Sequence, residues 1–254
     1  MTTEKRADVM EGELSRDLCL DEYPQWLWDR LATFQSWRFG LFMHWGPYCQ
    51  WNCIESWPLV EEDKWGRPDT LKAWTDRGRD LDRFRRDYWA LNRTFNPTEF
   101  DPGVWADAAA YAGMKYVAFT TKHHDGFSMF DTRATDYRVT HPDCPFHKHP
   151  RANIAKEVFD AFRAKDFGVS CYFSKSDWHS PYYWQPGKPA PDRNPNYDTA
   201  AHPEVWRKFV EFVHAQIEEL MTGYGPIALT FTTRCASFAA TTGRSMCCGS
   251  MADR

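Results

Sequence analysis

The chain has 254 residues, 43% of them hydrophobic, which is enough for one sizeable core. Its formal net charge of −4 gives no electrostatic case for nucleic acid or an anionic membrane as partner. No apolar run is long enough to span a bilayer. The charged start Met1-Thr2-Thr3-Glu4-Lys5-Arg6 is followed by no apolar stretch, so no signal peptide is expected and the chain as written reads as cytoplasmic. Eight cysteines (Cys19, Cys49, Cys53, Cys144, Cys171, Cys235, Cys247 and Cys248) show no zinc-type paired spacing. They are expected to be reduced thiols, with Cys171 buried in a strand.

In chain order, a polar segment over residues 1–21 leads into a helix from Asp21 to about Arg38, with Trp26, Trp28, Leu31 and Phe34 as its apolar positions. Phe39-Gly40-Leu41-Phe42-Met43-His44-Trp45-Gly46 reads as the first strand, ending in histidine and glycine. A long connection over 47–94 follows, helical in part from Leu71 to Trp89. A connection of that length inside a compact domain is usually functional, and it carries Glu55-Ser56-Trp57. Asp101-Pro102 opens a helix that runs to about Ala112 and ends at Gly113. A second strand spans 116–123. After an irregular loop, residues 152–166 form a helix with Ile154, Val158, Phe159 and Phe162 on one face and Gly168 as its cap. The third strand, Val169-Ser170-Cys171-Tyr172-Phe173-Ser174, ends in Lys175-Ser176-Asp177-Trp178-His179. His202-Pro203 starts a helix to about Met221, and Ile227–Thr232 forms a fourth strand.

The alternation of strands and helices predicts an α/β fold with a parallel sheet and right-handed crossovers. An open doubly wound sheet and a (β/α)₈ barrel both fit this order. No Gly-x-Gly-x-x-Gly loop follows any strand, which weakens a dinucleotide-binding reading. Polar residues at the ends of successive strands favour the barrel, whose ligands bind at that face.

The chemistry concentrates in Phe119-Thr120-Thr121-Lys122-His123-His124-Asp125-Gly126-Phe127. A buried strand delivers titratable side chains at its C-terminal end. Neighbouring strand residues point to opposite faces, so His123 and His124 are expected to do different jobs. With 13 Trp, 11 Tyr and 18 Phe, most rings belong to a core. Trp45, Trp51, Trp57 and Trp178, placed after strands or in loops, are the candidates for stacking on a ligand.

Five segments together resemble the α-L-fucosidases of glycoside hydrolase family 29. They are Phe39–Gly46, Phe95-Asn96-Pro97-Thr98-Glu99-Phe100, Ala112-Gly113-Met114-Lys115-Tyr116, Thr121–Phe127, and Tyr172-Phe173-Ser174 with Asp177-Trp178-His179. The resemblance covers residues 22–227. It implies a (β/α)₈ TIM-barrel catalytic domain and a retaining hydrolase that removes α-linked L-fucose from a glycan; no cofactor is expected, and no metal, since two ligands from one inward-facing strand would need His-x-His rather than His123-His124. It also implies that His44, Glu55, Trp57, His123, His124 and Tyr172 hold the fucose. Family members are often secreted, periplasmic or lysosomal.

These residue types suit a sugar. Neutral histidines donate and accept, so several can read neighbouring hydroxyls. An indole covers an apolar C–H face. None of them cuts the bond, which in a retaining enzyme takes two carboxyl groups about 5–5.5 Å apart. Two other readings compete. His44, His123, His124 and Asp125 could bind a metal in a TIM-barrel hydrolase, or the chain could be an inactive sugar-binding remnant.

After Ile227 the resemblance stops. The family's nucleophilic Asp falls, ungapped, on Thr233, and residues 228–254 contain no Trp, Tyr, Pro, Lys, Glu, Val or Ile. The expectation is a tail unrelated to the family after about four strands of a barrel, no catalytic residue in place, and self-association through open sheet edges.

Overall fold

The computed structural model describes residues 25–232. The polar segment 1–21, Thr233 and the rest of the tail lie outside the described residues. The chain divides at Arg38/Phe39 into two units. In the first, helix α1 (Gln25–Trp37) is closed by Gln25 Nε2 on Asp29 Oδ1 at 3.0 Å and Thr33 Oγ1 on the Asp29 carbonyl at 2.9 Å. It stops where Arg38 takes φ 54°.

The second unit is built on four strands, β1 (Gly40–Met43), β2 (Tyr116–Lys122), β3 (Gly168–Phe173) and β4 (Leu229–Thr232). All pair in parallel, in the order β1-β2-β3-β4. Between β1 and β2 lie α2 (Lys72–Thr75), α3 (Leu81–Trp89) and α4 (Pro102–Tyr111). Helix α5 (Ile154–Arg163) links β2 to β3, and α6 (Pro203–Gly223) links β3 to β4. Sequential parallel order with helical crossovers is the expected α/β arrangement, and it is consistent with part of a barrel wall.

Helices α3, α4 and α5 start where a side chain satisfies a free backbone N–H group. Asp101 Oδ1 accepts from Gly103 N at 3.0 Å, Asn153 Oδ1 from Lys156 N at 3.4 Å, and Asp80 Oδ1 from Arg83 N at 3.0 Å. Helix α5 buries Ile154, Val158, Phe159 and Phe162, which join Val117, Phe119, Val169 and Cys171 of the sheet in one core. Gly113 ends α4 with φ +79° as expected. The turn after α5 differs from expectation. Asp166, not Gly168, takes the left-handed conformation (φ 61°), and Gly168 already pairs with Tyr116 as the first residue of β3.

One irregularity aims the site. Thr120 pairs with Tyr172, but Lys122 pairs with Phe173, so two β2 residues oppose one on β3. This β-bulge reverses the alternation. Phe42, Ala118, Thr120, Ser170 and Tyr172 share one sheet face by register. Regular alternation would have put Lys122 and His124 there too. The bulge sends Lys122 toward α6 and brings His123 to the face that carries Thr120 and Tyr172.

Candidate functional site

β1 hands the chain to His44, β2 to His123 and His124, and β3 carries Tyr172 near its end. The rings of His44 and His123 lie 5.2 Å apart, edge to face, and Tyr172 is 4.8 Å from His44 and stacked 5.7 Å from His123. His124 turns the other way. It stacks on Trp178 at 4.7 Å and lies 5.1 Å from Trp57. Trp57 closes the group from the long β1–β2 connection, 5.5 Å from His123.

Two hydroxyls anchor the histidines. Thr120 Oγ1 donates to the Met43 carbonyl at 2.8 Å and lies 2.7 Å from His44 Nδ1. A hydroxyl has one proton, so Thr120 accepts from Nδ1–H, and His44 Nε2 is left as a bare acceptor. Ser56 Oγ lies 2.5 Å from His123 Nδ1, and both residues are buried. His124 Nδ1 and Tyr48 Oη are buried with no hydrogen-bond partner among the described residues.

Burial holds the imidazoles neutral. It lowers His44 against the opposing pull of Glu55. It lowers His123 well below 6.5, with His124 and His44 adding to the effect. It takes His124 down to about 3. Glu55 sits at φ 44°, in a conformation that a non-glycine residue rarely adopts. Its Oε2 accepts from the Trp57 indole N–H at 2.7 Å, and its carbonyl faces Tyr88 Oη at 3.1 Å.

The remaining acids are occupied. Asp177 takes backbone N–H groups of His179 and Ser180 on Oδ1, at 3.1 and 2.9 Å, and Lys122 Nζ on Oδ2 at 3.1 Å. Lys122 is wholly buried and also donates to Gln216 of α6 at 2.8 Å. Asp125 accepts from Phe127 N at 3.2 Å and lies 3.1 Å from Tyr88 Oη, and burial raises it to about 7. Among the described residues no three His, Cys, Asp or Glu side chains form a group able to hold a metal ion.

Of the tryptophans, only Trp57 has a place among the site residues and is half-buried. Trp45 packs on Phe95, Phe100 and Trp105, while Trp51 lies against Phe84 under the Arg77 guanidinium. Trp178 is buried between His124 and Trp184. These three rings support the site or the core rather than offering a surface. Sequence reasoning missed Ser56, Thr120, Tyr88 and Gln216. Ser56 adjoins the named Glu55 and Trp57, but no local signal marks a partner 67 residues away.

Residues 23–238 match the family model described as Alpha-L-fucosidase. The chain belongs to the alpha-L-fucosidase family. It is 27% identical over 215 residues to a putative alpha-L-fucosidase of Caenorhabditis elegans, covering 81% of this chain and 39% of the relative. It is 30% identical over 160 residues to human tissue alpha-L-fucosidase, covering 60% of this chain and 31% of the relative. The chain therefore spans between about a third and two fifths of these curated relatives. Among solved structures it is similar to alpha-L-fucosidase isoenzyme 1 from Paenibacillus thiaminolyticus, with TM-score 0.57, 33% identity, and 81% of this chain on 43% of that one. A glycoside hydrolase family 29 alpha-L-fucosidase from Bacteroides thetaiotaomicron, trapped as a covalent intermediate with 2-fluoro-fucosyl fluoride, gives TM-score 0.57 at 28% identity. That match covers 81% of this chain and 41% of the other.

Proposed function

We propose that residues 39–232 form the first four strands of an alpha-L-fucosidase barrel and carry its fucose-recognition surface. His44, Glu55, Trp57, His123, His124 and Tyr172 are the residues that hold the sugar. The observation that carries this reading is the pair His44 and His123, 5.2 Å apart, each fixed through Nδ1 by a neighbouring hydroxyl. Their Nε2 atoms stay available for two hydroxyls of one ring. The bare His44 Nε2 accepts, and the Glu55 carboxyl group near it offers further acceptor oxygens. Trp57 supplies apolar surface for the methyl group and C–H face of fucose.

Recognition is separate from cleavage. The Bacteroides relative was trapped as a covalent intermediate, which fits a retaining mechanism with a carboxylate nucleophile. In our ungapped reading of the sequence the family's nucleophile position falls on Thr233, whose hydroxyl is un-ionised at neutral pH. Among the described residues Asp125 and Asp177 are engaged on both oxygens and Glu55 is held by Trp57. The 254-residue chain therefore binds fucosides without turning them over. The outer edges of β1 and β4 have no strand partner among the described residues, which favours self-association in solution.

The test is titration of the chain with methyl α-L-fucoside by calorimetry or saturation-transfer NMR. Saturable binding that is lost in both His44→Ala and His123→Ala supports the reading. Equal binding of methyl β-D-galactoside, or binding unchanged in both variants, contradicts it.

A further inference from the structure

The chain builds the same local device twice. In Glu55-Ser56-Trp57 the acid accepts the indole N–H two residues on, at 2.7 Å. In Asp63-Lys64-Trp65 it does so again, at 3.1 Å. The two indoles are neighbours, with ring centres 6.2 Å apart and planes at 41°. The turn that carries Trp65 is seated on the backbone that carries Trp57. A Cβ on Gly66 would come within 3.1 Å of Pro58 N and 3.2 Å of the Trp57 carbonyl carbon, so only glycine allows that approach without displacement. Arg193 ties the pair together. Its Nε and Nη2 hold both oxygens of the buried Asp63, at 2.9 and 2.8 Å, and its guanidinium lies 4.4 Å over the Trp57 ring.

Trp57 is absorbed by the fucose site, but Trp65 is not. Trp65 is 53% exposed even though its N–H is fixed and its turn is locked. An exposed tryptophan alone is ordinary on a protein surface. An exposed indole held rigid by a buried carboxylate, one ring away from a sugar-holding indole, is preorganised surface, and ordering it on binding costs little.

We propose that Trp65 is the stacking platform for the sugar that carries the fucose, a hexopyranose such as N-acetylglucosamine or galactose. This rests on the fucose reading of His44, His123 and Trp57. The C–H face of that second ring lies on the Trp65 indole. Arg193, 52% exposed and with Nη1 outside the Asp63 fork, meets its hydroxyl or acetamide oxygen. Trp65 thereby sets selectivity for a disaccharide over the free monosaccharide.

The experiment compares the affinity of the 254-residue chain for methyl α-L-fucoside with its affinity for disaccharides of L-fucose α-linked to N-acetylglucosamine or galactose, in several linkages. Wild type, Trp65→Ala and Trp65→Phe are measured side by side, with thermal unfolding confirming the fold of each variant. The best disaccharide is expected to bind wild type about threefold to tenfold more tightly than the monosaccharide, the range that one stacked ring supplies. Trp65→Ala erases that ratio and leaves monosaccharide affinity within about fivefold, because Trp57 keeps its hold on Glu55 and Arg193 while losing one neighbouring ring. Trp65→Phe keeps most of the ratio. A wild-type chain that binds the monosaccharide with no gain for any disaccharide overturns the inference alone. So does a gain that persists in Trp65→Ala, or an unchanged ratio accompanied by a shift from dimer to monomer, which makes Trp65 an interface residue. A wild-type chain that binds neither sugar overturns the fucose reading and the inference with it.

Discussion

Thr120 sets the proton position of His44. Its hydroxyl gives its one hydrogen to the Met43 carbonyl and can only accept from His44 Nδ1, 2.7 Å away. Thr120 follows Phe119, the β2 partner of Met43, and His44 is the first residue after β1. A hydroxyl on β2 thus determines which nitrogen of His44 is left as an acceptor.

Thr120→Val keeps the shape and removes this acceptor. The Nδ1–H loses its partner, and the ring is free to turn or change tautomer. Loss of one hydrogen bond of this kind is worth about 1 kcal/mol, so affinity for methyl α-L-fucoside is expected to fall about fivefold. Nitrogen-15 NMR of the imidazoles checks the cause. His44 reports the Nδ1–H tautomer in wild type and a mixture in the variant.

A second prediction concerns Lys122. Its ammonium is wholly buried and bound to Asp177 and Gln216, which ties β2, the turn after β3 and α6 together. Burial pushes Lys122 down, and Asp177 pulls it back up. Lys122→Met leaves a buried carboxylate without its cation and is expected to cost about 3–5 kcal/mol of stability. Adding Asp177→Asn should recover part of that loss, and urea unfolding of the two variants measures the coupling.

The third prediction is a pH dependence with two opposing signs. His124, held at about 3 in the fold against 6.5 unfolded, is neutral in the native state. The unfolded chain binds more protons below 6.5, so stability falls with acidification, by up to about 1.4 kcal/mol per pH unit for this group. Asp125 runs the other way. Its folded value of about 7 lies above its unfolded 3.8, so its contribution is full below 3.8 and lost as pH rises through 7. Tyr88 Oη faces both the Glu55 carbonyl and Asp125 Oδ2 at 3.1 Å with one hydrogen to give, an arrangement that favours a protonated Asp125 as the second donor. Asp125→Asn supplies that donor permanently. The variant is therefore expected to melt higher than wild type at pH 8, with the gap closing as pH falls below 6. A constant gap across this range would show that Asp125 is ionised throughout.

The positions of β1, β2, β3 and α4–α6 were legible because each is a local pattern, an apolar run or a 3.6-residue stripe bounded by a cap or glycine. The polar ends of the strands were legible for the same reason. The β-bulge at Thr120–Lys122 was not, because it is a mismatch between two strands and exists only in their register. It decides that His123, and not His124, joins His44. Trp45, Trp51 and Trp178 read as possible ligand rings because they follow strands or lie in loops. Their fate was decided by distant partners such as Phe84, Trp105 and His124. Gly168 was expected to cap α5 since glycine favours positive φ, yet Asp166 takes that conformation and leaves Gly168 free to open a strand.

The proposed binding of fucosides without turnover is checked by incubating the purified 254-residue chain with 4-nitrophenyl α-L-fucoside at saturating concentration and following nitrophenol release. The expected rate is indistinguishable from buffer, including after Thr233→Asp, since a retaining enzyme needs a second carboxyl group beside the nucleophile. Release at an ordinary enzyme rate of about 1–10³ s⁻¹, abolished by Asp125→Asn, would contradict it and show that Asp125 serves as a catalytic carboxyl group.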